Sequence, residues 1–362
     1  MAHHTIEAVG IRATLDLSFG QLAAFEVVRD GRTVAPLARV PWADGPDNPD
    51  RFPPDMPPHL RAMSGDFFCA PFGADDVEDA PPHGWTANAP WELVDDLASA
   101  DGRLARFRLT RAVAGAQVEK LWRLVDNHPF LYQRHIFHGG SGALPVAHHA
   151  MVDLRSGGLL AFSPKARAET PDMPLETDPA QGHSHLAYPA ASDDLTRFPT
   201  FEGSQADLTR FPLAERHTDF VMLPERASMG YGWATALRPV EGDVTLLIRD
   251  VAQLPATLLW WSHGGRFYPP WNGEHRGVLG IEDGRSWGGA GRSRSAASNP
   301  WSDAGVPTAL ALEPSGSVAV SHALGALPTG ARAPVTLDIE FGQVRLSDGT
   351  TCPLDTGFLS LS

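Results

Sequence analysis

The 362-residue chain carries 43 Asp and Glu against 29 Lys and Arg, a formal net charge of −14, and a field of this sign repels phosphate backbones, so nucleic acid is not an expected partner. Its two cysteines, Cys69 and Cys352, lie far apart without metal-ligand spacing; this disfavours a disulfide scaffold and fits a reducing compartment. Glycine (35) and proline (32) are abundant without a collagen-like period, which points to many turns between many strands.

The opening residues lack a basic segment followed by an apolar one, and no apolar run approaches the roughly 18 residues needed to span a bilayer. A cytoplasmic protein with no membrane partner is expected. Asp30-Gly31 stands between Phe25-Glu-Val-Val and Thr33-Val, a pair that favours a type I′ hairpin turn because both turn residues need positive φ. Residues 41–60 are proline-dense and read as an irregular loop. Next comes Pro81-Pro-His83-Gly-Trp85-Thr-Ala-Asn88-Ala-Pro-Trp91, where a loop histidine, tryptophans and an asparagine can form a sugar platform or simply a packed corner. Asp101-Gly102 opens a second hairpin, in which Ala105, Phe107 and Leu109 alternate with Arg106, Arg108 and Thr110. That period of two puts one face on a core and the other in water.

His148 and His149 follow, and in a strand they must point to opposite faces. Residues 163–216 form a long excursion in which Asp194-Leu-Thr-Arg-Phe-Pro199 recurs as Asp207-Leu-Thr-Arg-Phe-Pro212. Further on, Trp260-Trp-Ser-His-Gly-Gly-Arg266-Phe-Tyr-Pro-Pro-Trp271 precedes an apolar run ending at Glu282-Asp283. A carboxylate at a strand end beside a loop suits a cleft. The glycine- and serine-rich stretch 284–299 reads as a mobile lid or a surface loop, and its Arg285, Arg292 and Arg294 are able to meet an acidic sugar. Asp348-Gly349 marks a last hairpin. No segment shows a capped 3.6-residue apolar period, and repeated strand–helix units are absent. The expectation is all-β: one domain, residues 1–362, built as a large antiparallel β-sandwich.

Four segments together resemble the galactose mutarotase-like (aldose 1-epimerase) superfamily. His83-Gly-Trp-Thr-Ala-Asn88 with Trp91 resembles the family's HGF-AR-N-x-x-W segment. Gly65-Asp-Phe-Phe-Cys-Ala-Pro-Phe-Gly73 is similar to the glycine-rich stretch before it, His149-Ala-Met-Val-Asp-Leu154 to HPYFNL, and Val278-Leu-Gly-Ile-Glu282 to the V-x-x-IEP strand. The likeness covers roughly residues 60–290 and implies a large β-sandwich, a small-molecule sugar as partner, and acid–base catalysis at the anomeric carbon without metal or cofactor. It implies Glu282 as base and His149 as acid. His83, Asn88 and Asp219 would bind the sugar, with Trp85, Trp271 and Trp287 as stacking candidates.

Three departures stand out. Thr86-Ala87 replace the arginine that helps hold phosphate in phosphosugar relatives, which leaves the phosphorylation state of the sugar open. Asp283 replaces the proline after the glutamate, a second carboxylate whose repulsion would raise one pKa if both are buried. Ala150-Met-Val replaces the aromatic pair after the second histidine, removing a wall of the pocket. Two other readings stay open: a silent sugar-binding protein on the same scaffold, and a metal enzyme using His183 and His185 with His135 and His138. A homodimer is the one assembly entertained.

Overall fold

The computed structural model describes residues 2–45, 50–226 and 230–360. Part of the proline-dense loop (residues 46–49) therefore lies outside the described residues. Two large antiparallel sheets face each other. One has nine strands in the order Arg210–Phe211, Gly158–Phe162, Tyr231–Arg238, Asp243–Asp250, Ser317–Pro328, Phe130–Gly139, Ala116–Val125, Gly102–Leu109 and Trp91–Ser99. The other runs Ala191–Ser192, Ala168–Glu169, His217–Pro224, Ala256–His263, Val278–Arg285, Val146–His148 and Phe68–Cys69, with Ala150–Asp153 also paired to Val278–Arg285. This is the all-β sandwich that the turn-rich, alternating sequence called for.

Side-chain alternation sorts the residues of the second sheet into two sets. Val221, Leu259, Trp261, Leu279 and Ile281 pack inward with Phe137, Leu160 and Leu324 of the nine-stranded sheet. Their neighbours Phe220, Met222, Leu258, Trp260 and Val278 point the other way, joining Met63, Phe67, Phe72 and Trp271 in a second apolar cluster on the outer face. The candidate site lies on that outer face. A four-stranded N-terminal meander, His3–Ala8, Ile11–Asp16, Gln21–Arg29 and Arg32–Val34, adds Ile6, Leu15 and Phe25 to the inter-sheet core.

Of the three Asp-Gly pairs expected to turn hairpins, only Asp30-Gly31 has both residues at positive φ, 51° and 72°, with Arg29 paired to Arg32 as in a two-residue hairpin. At 101–102 the turn has slipped by one residue. Ser99 pairs Gly102, which begins its strand at φ 151°. At 348–349 only Gly349 is at positive φ.

The repeat in the 163–216 excursion is a repeat of local structure. Thr196 N and Oγ1 donate to Asp194 Oδ1, and Thr209 N and Oγ1 donate to Asp207 Oδ1 in the same way. Each copy buries its phenylalanine, Phe198 or Phe211, in the main core. The 284–299 stretch carries a short helix, Arg292–Ala296, tied down by Ser293 N donating 2.8 Å to Asp76 Oδ1 and by Arg292 bonding Glu78 at 2.9 Å.

Candidate active site

Glu282 sits on Val278–Arg285, a strand paired on both sides within its sheet. The ladder to the neighbouring strand is interrupted at His148 and His149, between the pairs Ala147–Gly284 and Ala150–Ile281. There the His149 amide donates instead to Phe67 O and to Asp66 Oδ1, both at 2.9 Å. The two histidines part as strand geometry requires. His148 turns inward to Asp66 Oδ2 at 3.1 Å, and His149 turns outward with Nε2 3.1 Å from Glu282 Oε1.

Glu282 and His149 form one wall of a cavity of about 180 Å³ lined also by His59, His83, Phe67, Phe72, Trp260, Arg266 and Trp271. This volume lies below the roughly 300–1,000 Å³ of pockets for drug-sized ligands, and it suits a single small ring. The aromatic wall missing at Ala150-Met-Val is supplied from other elements. Phe67 stacks on the His149 ring at 4.5 Å and 20°, and Trp260 meets it edge-on at 5.7 Å.

Electrostatics follow from enclosure. Glu282 is 2% exposed; burial pushes its pKa well above the usual carboxylate value, with Arg266 opposing. His149 is pushed down to about 3, chiefly by burial. Both shifts follow from enclosure, which disfavours the charged form of each group. The Arg266 guanidinium lies 5.0 Å from the Trp271 ring centre and 5.6 Å from that of Trp260, and its Nε is 2.8 Å from Glu176 Oε1. His83 occupies a left-handed backbone position, φ 67°, ahead of the short helix Gly84–Asn88. Gly84 is also left-handed, and a Cβ there would stand 1.9 Å from Ala70 O, so only glycine fits behind this histidine.

Of the residues expected from sequence, Glu282, His149, His83 and Trp271 line the cavity, whereas Asn88, Asp219 and Trp85 do not. Asn88 is buried beside it and bonds His59, Pro82 and Gly84. Asp219 is on the inward parity of its strand, accepting from the amides of His185 and Leu186, from Tyr188 and from His217 Nδ1 at 2.6 Å. Trp85 packs against the main core, with the Arg111 guanidinium 4.4 Å from its ring centre. Trp287 stands edge-on to Trp301. Arg285, Arg292 and Arg294 bond Ala252 O, Glu78 and Asp172 outside the cavity.

Asp283 does not compete with Glu282, because adjacent strand residues face opposite sides. It is buried inside the sandwich, 2.9 Å from Arg249 and 3.0 Å from His322. Burial opposes its charge, but Arg249 and then His322 more than offset that, and its pKa is lowered. Among the described residues the one grouping of three metal-capable side chains is Asp66, His148 and His322, not the set around His183 and His185. The rings of His148 and His322 are stacked at 4.4 Å and 17°.

Several cavity residues are not expected from the sequence, among them His59, Trp260 and Arg266. His59 lies in the proline-dense stretch 41–60, and Trp260 and Arg266 lie in the tryptophan-rich segment 260–271. The signal available for Trp260 was its parity with Leu258 and Ser262, hidden in a strand buried on both faces.

The fold is similar to that of solved galactose mutarotase-like structures. The chain matches a candidate aldose 1-epimerase from Escherichia coli K12 at TM-score 0.58 and 12% identity, over 90% of this chain and 99% of that one. It matches the galactose mutarotase related enzyme from Lactobacillus acidophilus at 0.55 and 12%, over 91% and 98%. A galactose mutarotase-like protein from Lactobacillus casei ATCC 334 aligns at 0.54 and 12%, over 90% and 100%. No protein-family model and no curated protein matches the sequence. Among the described residues no helix is long and apolar enough to cross a membrane.

Proposed function

We propose that the protein is a mutarotase-type epimerase interconverting the anomers of an aldose, with Glu282 and His149 exchanging the protons. The observation that carries this reading is the Glu282–His149 pair, 3.1 Å apart, in the wall of a ring-sized cavity. The reaction needs one base and one acid. The base removes the C1 hydroxyl proton, the C1–ring-oxygen bond breaks as C1=O forms, and the acid protonates the ring oxygen. Rotation about C1–C2 and the reverse steps give the other anomer. A positioned acid or base contributes about 10²–10⁴-fold. Burial raises the Glu282 pKa, and a carboxylate with a raised pKa is a stronger base. Trp260 and Trp271 supply aromatic faces for the sugar's C–H surface. The 1–362 span is read as one domain, because its N-terminal meander shares the main core.

A second reading, a silent sugar-binding protein, is favoured by the same burial: a Glu282 that never releases its proton cannot act as base. Polarimetry of freshly dissolved α-anomers of galactose, glucose and other aldoses separates the two. Accelerated mutarotation supports the enzyme. Binding seen by ligand NMR without any acceleration supports the silent binder and removes the enzymatic reading.

A further inference from the structure

We propose that His59 is a specificity-determining residue: a fixed hydrogen-bond acceptor in the cavity wall that selects a neutral sugar with a free hydroxyl at that point and disfavours phosphorylated and acidic sugars. This rests on the sugar-site reading above.

The argument begins at Asn88. Its Nδ2 lies 2.9 Å from Pro82 O and 2.8 Å from Gly84 O. Carbonyl oxygens only accept, so the NH₂ group must face them and the amide cannot flip. Asn88 Oδ1 is thereby turned to His59, 3.0 Å from its backbone N and 2.9 Å from its Nδ1. An amide oxygen also only accepts, so His59 Nδ1 carries the hydrogen. The ring is neutral, since burial pushes its pKa down to about 4. A neutral imidazole has one N–H, which leaves Nε2 as a bare lone pair.

His59 is held from both sides. Its carbonyl accepts from Gln21 Nε2 at 3.1 Å, and its ring lies edge-on to His83 at 5.4 Å and against Phe67 at 5.7 Å. Nε2 has no protein hydrogen-bond partner among the described residues, and it is not among their enclosed, unpartnered atoms. The residue lines the cavity, so Nε2 opens onto it. A sugar hydroxyl placed there donates to Nε2, whereas phosphate and carboxylate oxygens bring only lone pairs to meet a lone pair. Arg266, in the same wall, forms an ion pair with Glu176 through Nε.

Two measurements test the proposal on the full chain. Imidazole ¹⁵N NMR at neutral pH, assigned by loss of one signal set in His59→Phe or His59→Gln with the other histidine signals retained, is expected to show the Nδ1–H form; an Nε2–H form overturns the proposal. Wild type, His59→Phe and His59→Gln are then titrated with D-galactose, D-glucose, their monodeoxy analogues, their 6-phosphates and the matching uronic acids. In wild type one deoxy position is expected to cost about five- to tenfold in affinity, the worth of a hydrogen bond, and that cost is expected to vanish in His59→Phe. The charged sugars are expected to bind more weakly than their parents. No hydroxyl coupled to His59, or tighter binding of a 6-phosphate or uronic acid, overturns it. Anomer exchange is followed in the same samples. Coupling without exchange removes the epimerase reading alone, exchange without coupling removes the role of His59 alone, and no binding by any sugar removes both.

Discussion

A Cβ at position 280 would stand 2.7 Å from Glu282 Oε1 and 3.3 Å from His149 Cε1, so glycine there is the space into which the carboxyl group fits. Gly280→Ala is expected to displace that carboxyl, the far end of a flexible side chain, while leaving the strand paired. Anomer exchange should fall by roughly 10²-fold, as for small misplacements of reacting groups, with little change in melting temperature; unchanged turnover would show that the carboxyl has no demanding position. Asn88 illustrates a limit of sequence at this scale. The motif places an asparagine at the site, but only the backbone course of residues 82–88 reveals that its amide is spent on Pro82, Gly84 and His59. His59 itself had no flanking pattern to mark it.

At the scale of elements, alternation within Val278–Arg285 separates two neighbouring carboxyl groups into different environments: Glu282 faces the cavity and Asp283 the interior. Asp283 belongs to a buried chain of charges in which Arg249 also bonds Glu225, and Glu225 bonds Lys165. Removing one member strands another charge without water. Asp283→Ala is therefore expected to cost about 3–5 kcal/mol, measured by urea unfolding, whereas Glu282→Gln should not. A cost below 1 kcal/mol would show that the chain relaxes. The opposed directions of His148 and His149 were legible, because neighbours in a strand diverge. The inward direction of Asp219 was not: Phe220, Val221, Met222 and Leu223 are all apolar and buried on both faces of the sheet, so no alternation marks which side is the core. The sandwich class was readable from turn density, but the turn at 101–102 slipped by one residue because strand pairing outweighs local turn preference.

Across the whole molecule, several histidines are held neutral by burial: His59 and His148 near 4, His149 and His275 near 3. Their folded pKa values lie below the unfolded value of about 6.5. In that window the unfolded chain binds more protons, so the stability they contribute is complete above about 6.5 and is lost as pH falls towards 4 and below. Melting temperature followed from pH 7 to pH 4 should drop steeply, and less steeply in His59→Phe; a flat profile would contradict the neutral, buried state of these rings. The same enclosure sets the proton inventory of the Glu282–His149 pair, on which the functional account turns. Its most direct test is equilibrium anomer exchange by NMR, comparing wild type and Glu282→Gln at sugar concentrations where binding to both is verified. Exchange in the wild type that disappears in the variant, with binding retained, is the predicted result. Equal exchange in both proteins, or none in the wild type despite binding, would contradict it.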